Sequence, residues 1–249
     1  MTPNTVNNDA VIKVKNLHKT FDGIQVLEGV SFNLFRGETL SILGRSGQGK
    51  SVLIKCIVRL ILPDTGTIEV LNRDVLTLGK AELNELRIRV GYLFQEGALY
   101  DSMTLAENLM FPLKRKKKGM SEAEKTELVE ETLKSVDLLD ARDKMPAELS
   151  GGMRKRAGLA RTLVLQPEII LYDEPTTGLD PYTSRDINEL ISRIQKIYNV
   201  TSIIVTHDLK CARRVSDRIV ILQNGNFIAE GTYSDLENHA EEMIRNYFI

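Results

Sequence analysis

Apolar and polar residues alternate along the first stretch of the chain. Val11, Ile12, Val14 and Leu17 are separated by Lys13, Lys15 and Asn16, the pattern of a half-buried strand. Val30, Phe32 and Leu34 repeat it, with a turn between at Asp22-Gly23. Thr39-Leu40-Ser41-Ile42-Leu43 is a short, mostly apolar run bounded by glycines, which reads as a strand buried on both faces of a parallel sheet. A helix is predicted over residues 50–62, halted by Pro63-Asp64-Thr65-Gly66. Further strands are predicted over residues 67–70 and 90–94. From about residue 96 to residue 164 the helical period dominates. Thr104 with Glu107 and Ser121 with Glu124 fit the capping box, so two helices start there. β character returns over residues 169–172 and 202–205. Residues 219–222, then Asn224-Gly225, then residues 227–229 read as a closing hairpin. The alternation of strands and helices, with one helical block inserted, predicts an α/β fold. No internal repeat is present, so the chain carries one functional unit.

Composition narrows the classes. In 249 residues, 33 Lys and Arg face 34 Asp and Glu, a net charge of −1. Such a balance carries no footprint for non-specific nucleic-acid binding. No apolar run approaches the ~18 residues that a membrane span needs. The polar, Asn-rich residues 1–10 do not read as a secretory signal. The two cysteines, Cys56 and Cys211, give neither a disulfide framework nor a metal pattern; Cys56 falls among apolar residues and reads as packing. The one charge block, residues 114–118, reads as a solvated loop between two helices or as a contact with anionic lipid or a partner. His18 and His239 match no motif and read as surface. A soluble enzyme or binding protein remains.

Three motifs carry chemistry. Gly44-Arg45-Ser46-Gly47-Gln48-Gly49-Lys50-Ser51 is a phosphate loop, set between a buried strand and a helix as that motif requires. Its glycines let backbone N–H groups turn toward phosphate oxygens, and the following helix adds its positive end. Lys50 supplies a charge to the outer phosphates, and Ser51 a hydroxyl to Mg²⁺. Next, Ile169-Ile170-Leu171-Tyr172-Asp173-Glu174 places two carboxylates after an apolar strand. Asp173 suits the Mg²⁺ shell, and Glu174 suits the orientation or deprotonation of an attacking water. Third, Leu149-Ser150-Gly151-Gly152-Met153 opens a helix with Ser150 as N-cap and Met153, not Glu, at the third position. That helix end has no carboxylate of its own and can receive an outside anion such as a γ-phosphate.

In this order and spacing the motifs resemble those of the ATP-binding cassette (ABC) ATPases, over about residues 11–231. The resemblance implies a P-loop NTPase: a RecA-like α/β core, an antiparallel β subdomain and an inserted α-helical subdomain at about 96–164. It divides the chain into a polar tail over residues 1–10, an ATPase domain over residues 11–233 and a C-terminal tail over residues 234–249. It implies that Phe21 stacks on adenine and that residues 44–51, with Val52, hold the phosphates. Gln95 would touch Mg²⁺ beside Ser51 and Asp173 and report to a membrane partner. Glu174, His207 and Gln95 would form the catalytic set, with His207 sensing the γ-phosphate. Ser150, Gly151 and Gly152 would complete the ATP site of a second copy, and Asp180 would contact that copy. The cofactors implied are ATP and Mg²⁺. The partners implied are a homodimer mate and a separate integral-membrane permease, docked around residues 95–103, where Ala98, Leu99, Tyr100 and Met103 are otherwise core packing. The protein is then expected to be cytoplasmic, peripheral on the inner face of the plasma membrane.

Finer likeness suggests a cargo. Residues 44–57, 94–104 and 149–156 resemble the cassettes that energise MCE-type (mammalian cell entry) phospholipid transporters, including the maintenance-of-lipid-asymmetry system. Most cassettes carry Gln where this chain has Met153, whereas Met153-Arg154-Lys155-Arg156 suits that branch. Arg59 departs from a glycine common at its position. The expected function is ATP hydrolysis that drives phospholipid movement between membranes, with an MCE-domain protein as further partner. The alternative is an importer ATPase for amino acids or another small solute. A cassette of DNA repair or translation is less suited to one cassette without heptads, and a regulator without turnover does not need Glu174 and His207. In the tail, Met243, Ile244, Tyr247 and Phe248 form an apolar stripe, either packed on its own domain or clasping the sister subunit.

Overall fold

The buried run predicted at residues 39–43 lies at the centre of the molecule. A computed structural model describes residues 9–117 and 119–248. Two β sheets organise it. The first is antiparallel and contains β1 (Ala10–Phe21), β2 (Ile24–Phe35), β4 (Thr65–Val70) and β5 (Arg73–Asp74), in the order β2-β1-β4-β5. The second contains β3 (Thr39–Leu43), β6 (Val90–Leu93), β7 (Ile169–Asp173), β8 (Thr201–Thr206), β9 (Arg218–Gln223) and β10 (Asn226–Gly231), in the order β10-β9-β3-β8-β7-β6. All neighbours in it pair in parallel except β10 with β9. Asp22-Gly23 and Asn224-Gly225 close the two hairpins with left-handed backbone at both positions of each turn, the geometry that two-residue hairpins favour.

The parallel strands lack polar alternation because both of their faces are covered. On β7, Ile169 and Leu171 join the core under the antiparallel sheet. Ile170 and Tyr172 face the opposite core, under the helical block. β8 divides the same way, with Ile203 and Val205 in the first core and Ile204 in the second. Full burial of such side chains is worth roughly 1.5–3 kcal/mol each.

The helices are α1 (Lys50–Ile57), α2 (Lys80–Arg89), α3 (Leu105–Lys116), α4 (Glu122–Ser135), α5 (Gly151–Leu163), α6 (Pro181–Tyr198), α7 (Leu209–Val215), α8 (Tyr233–Glu237) and α9 (Glu242–Arg245). Both predicted capping boxes form, at Thr104 with Glu107 and at Ser121 with Glu124. The basic block is not a loop. Lys114, Arg115 and Lys116 form the last turn of α3, where cations complement the negative helix end; Lys118 lies outside the described residues. Of the predicted tail at residues 1–10, residues 1–8 also lie outside them, and Ala10 already belongs to β1. In the C-terminal stripe, Ile244, Tyr247 and Phe248 pack on the chain's own β9 face, while Met243 is exposed. His18 and His239 are half-buried rather than surface residues.

The helix predicted at residues 50–62 ends early, at Ile57. Arg59 adopts a left-handed conformation, φ 52°, so the last turn cannot continue. This explains why a glycine is common at the position. Arg59 is held there because its guanidinium donates to the carbonyls of Val75, Leu76 and Leu78 at 3.0, 3.3 and 2.7 Å. Arg59→Ala keeps the backbone cost and removes those bonds. It is expected to lower unfolding free energy by about 2 kcal/mol, read from urea denaturation.

Candidate functional site

The phosphate loop is built by close backbone packing. β3 ends at Leu43, and the loop is pressed between β2 and β9. A Cβ on Gly44 would lie 2.5 Å from the Leu222 carbonyl, and one on Gly49 would lie 2.6 Å from the Val26 carbonyl. Gly49 also has φ 93°, which a side chain resists. No side chain caps α1, and its first turn holds no acid. Its leading N–H groups therefore suit an external anion.

Lys50 is buried, and its ammonium donates to the carbonyls of Gly44 at 2.8 Å and Arg45 at 3.1 Å. It also stands 3.2 Å from Glu174 Oε1. Ser51 Oγ donates to Asp173 Oδ1 at 2.6 Å, and the Tyr92 hydroxyl donates to Asp173 Oδ2 at 2.7 Å. Burial first, and then the bond to Asp173, push the Tyr92 phenol well above its ordinary pKa.

Glu174 follows β7 in the left-handed region, φ 49°. Its Oε2 lies 2.8 Å from His207 Nδ1 and accepts from Thr177 Oγ1 at 3.1 Å. This carboxylate is thus fixed by an ammonium, an imidazole and a hydroxyl while only 8% exposed. A strained backbone at such a residue is common where chemistry sets the geometry.

One cleft of about 400 Å³ brings Ser46, Gly47, Gly49, Lys50, Ser51, Val52, Gln95, Glu174 and His207 together. Arg45 and Gln48 line the adjoining cleft beside His207, Asn224 and Tyr247. Gln48 Oε1 accepts the Asn224 N–H at 2.5 Å. Phe21 does not line the cleft. It lies at the end of β1, 40% exposed, with the Lys19 ammonium 5.0 Å above its ring. Ser150 caps α5 by accepting the Met153 N–H at 3.3 Å, and no acid occupies the first turn. Gly151 lines a different groove from Lys50, one shared with Gln95 and Leu179. Asp180 caps α6, accepting the N–H groups of Tyr182 and Thr183 at 2.9 and 3.0 Å. Its carboxyl is held below the usual range, first by the Thr183 hydroxyl. In the segment at residues 95–103, Leu99 packs into the core under the helical block, and Tyr100 remains 40% exposed between Phe111 and Arg161.

The site also holds residues that the motifs do not mark. Lys155 of α5 is buried, and its ammonium donates to the Gln95 carbonyl and to the Glu174 carbonyl at 3.5 Å. Burial lowers its pKa. Three residues further along, Gly158 lies so close to Gly97 that a Cβ there would meet its Cα at 2.7 Å. Arg161 then donates to the Ala98 carbonyl at 2.8 Å. One face of α5 thus grips the segment at residues 95–98. The available signal was the spacing 155, 158, 161, which is one helix face. Tyr92 offered no local signal.

Ser51 and Asp173 give one hydroxyl and one carboxylate, hard oxygen donors of the kind Mg²⁺ takes, and few enough to leave positions for phosphate oxygens and water. Among the described residues, no group of three His, Cys, Asp or Glu could hold a metal. The donor set therefore fits a cation shared with a nucleotide. No helix of the described residues is long and apolar enough to cross a membrane.

A sequence model described as "ABC transporter" matches residues 27–177. The methionine import ATP-binding protein MetN of Brucella abortus is 38% identical over 221 residues, covering 89% of this chain and 59% of that protein. The probable ribonucleotide transport ATP-binding protein mkl of Mycobacterium leprae is 41% identical over 236 residues, covering 95% of this chain and 68% of that one. The chain thus spans about three fifths to two thirds of the length of these curated relatives. A solved ATP-binding cassette dimer, in a post-hydrolysis state bound to ADP and Pi, superposes with a TM-score of 0.82 at 34% identity. It covers 89% of this chain and 98% of its own. The cbiO1 protein of Clostridium perfringens, part of the ABC transporter complex cbiONQ, superposes with a TM-score of 0.83 at 28% identity, covering 97% of this chain and 100% of its own.

Proposed function

This chain belongs to the ABC transporter family, and we propose that it is the ATP-hydrolysing subunit of a membrane transporter that moves phospholipids. The observation that carries the ATPase reading is the convergence of Lys50, Ser51, Glu174 and His207 on one cleft, with Asp173 bonded to Ser51. Residues 11–233 form the ATPase unit, with the helical subdomain at about 96–164 and the tail at residues 234–249.

In this reading the loop N–H groups and α1 bind the phosphates, and Lys50 exchanges its contacts with the loop carbonyls for the outer phosphate oxygens. Glu174 orients the attacking water and takes its proton at a carboxylate oxygen. His207 holds Oε2 of that carboxylate, so Oε1, now paired with Lys50, is the oxygen left for the water once Lys50 turns to phosphate. Ser51 and Asp173, with Gln95 in the same cleft as Ser51, would hold Mg²⁺, which would supply charge neutralisation to the phosphates. Phe21 offers an exposed ring to adenine once Lys19 moves aside. Ser150, Gly151 and Gly152 line no part of that cleft, which supports a site completed by a second copy. ATP then bridges two copies, Asp180 lies at their junction, and hydrolysis removes the bridging charge. A separate permease docks around residues 95–103, which puts the protein on the cytoplasmic face of the membrane.

The phospholipid assignment rests on the likeness of residues 44–57, 94–104 and 149–156 to the MCE-type branch. The relatives named for methionine import support a second reading, an amino-acid importer. Purification of the chain from membranes with its companions separates them. An MCE-domain subunit and bound phospholipid are expected; a solute-binding protein in their place sinks the lipid reading and leaves the ATPase reading standing.

A further inference from the structure

Tyr92 lies on β6, the edge strand of the parallel sheet. The β6–β7 register sets it opposite Leu171. Alternate residues of a strand share a face, so Tyr92, Leu171 and Asp173 point to the same side. The phenol is long enough to bridge the remaining rise, and its hydroxyl donates to Asp173 Oδ2 at 2.7 Å. The other carboxylate oxygen already accepts from Ser51 Oγ at 2.6 Å. Asp173 is 4% exposed, so water does little to orient it. A carboxylate held at both oxygens by hydroxyls from separate elements, β6 and α1, has one orientation available.

The ring is itself fixed. Its centroid lies 4.3 Å from that of Phe94, and its outer edge lines an open groove with Phe94, Pro112 and Arg87. Packing there needs an aromatic ring and not a hydroxyl. The hydroxyl's one hydrogen bond among the described residues goes to Asp173.

We propose that Tyr92 is a positioning residue for the divalent cation: its hydroxyl locks the Asp173 carboxylate against Ser51 and so sets the affinity for Mg²⁺. The proposal rests on the reading of Ser51 and Asp173 as the cation's holders. Groups that orient a metal ligand typically contribute about ten- to a hundredfold to metal affinity.

The test uses the full chain with ADP and Mn²⁺, the free cation being read by electron paramagnetic resonance. Tyr92→Phe keeps the ring and its packing, and circular dichroism checks that it folds. It is expected to weaken Mn²⁺ binding in the presence of ADP by about tenfold. Nucleotide affinity in EDTA should change by less than about twofold. Unchanged or tighter Mn²⁺ binding overturns the proposal. So does an equal loss of nucleotide affinity in EDTA, which would mark general damage to the site. Asp173→Asn is the companion variant, expected to lose Mn²⁺ binding far more completely. If it binds Mn²⁺ as wild type does, the assignment of Asp173 itself fails and takes Tyr92 with it. If only Tyr92→Phe is silent, the Tyr92 proposal alone fails.

Discussion

Glu174→Gln is expected to cut ATP turnover by about a thousandfold, in line with the loss of a positioned base, and to leave the protein as a nucleotide-bridged dimer. Glutamine has the same shape and keeps an acceptor for Lys50, His207 or Thr177, which stand 3.2, 2.8 and 3.1 Å from the native carboxylate. What it loses is the ability to take a proton. It also removes a negative charge from a buried position 3.2 Å from the lysine that must turn to phosphate. ATP affinity should therefore be retained or raised, because one source of repulsion toward the triphosphate is gone. Binding and hydrolysis separate, and the bridged state accumulates. Light scattering with ATP and Mg²⁺ should give twice the monomer mass, and single-turnover assays should show intact ATP in that species. A variant that stays monomeric in ATP, or turns over within about tenfold of wild type, removes Glu174 from the role assigned to it.

The site was legible where its residues sit in contiguous motifs, and invisible where the fold alone brings them together. Lys50 and Ser51 follow the loop glycines in sequence, and Asp173 and Glu174 end an apolar strand, so each pair announces itself. The strands were legible for a related reason: β7 and β8 each carry consecutive apolar residues that reach both faces, which marks them as central whatever packs above them. Tyr92 is different. Its contact with Asp173 spans 81 positions and depends on the pairing register of β6 and β7, which no local pattern states. Lys155 likewise reads as one charge in a basic turn until α5 is laid on Gly97. Backbone conformation hid other features. The early end of α1 comes from the left-handed Arg59, and the bonds that hold it run to carbonyls 16 to 19 positions away. Asp180-Pro181 carries an N-cap followed by proline, a legible helix start. The strand and helix pattern read from the sequence does not include α6, although its start carries this signal.

Gly151→Asp sets stability against function at a single position. Gly151 is the first residue of α5 and is exposed. A Cβ there meets nothing closer than Leu179 Cδ2 at 3.4 Å, so an aspartate fits without moving backbone. The first turn holds no acid, and a carboxylate at that end of a helix is favoured by the exposed N–H groups and the dipole, by roughly 0.3–1 kcal/mol. The variant should melt no lower than wild type. In the proposed two-copy site, the same carboxylate would occupy the position of the opposing copy's γ-phosphate and place like charge against a triphosphate away from bulk water. Such a clash costs several kcal/mol. Turnover is expected to fall at least about a hundredfold, while one copy still binds ATP through its own phosphate loop with near-normal affinity. Combined with Glu174→Gln, it should abolish the trapped dimer. The paired outcome, a protein equally stable and equally able to bind nucleotide but unable to close around it, follows only if α5 receives phosphate from across an interface. A Gly151→Asp protein that dimerises normally in ATP would mean that this helix end meets no phosphate, and that the two-copy site is wrong.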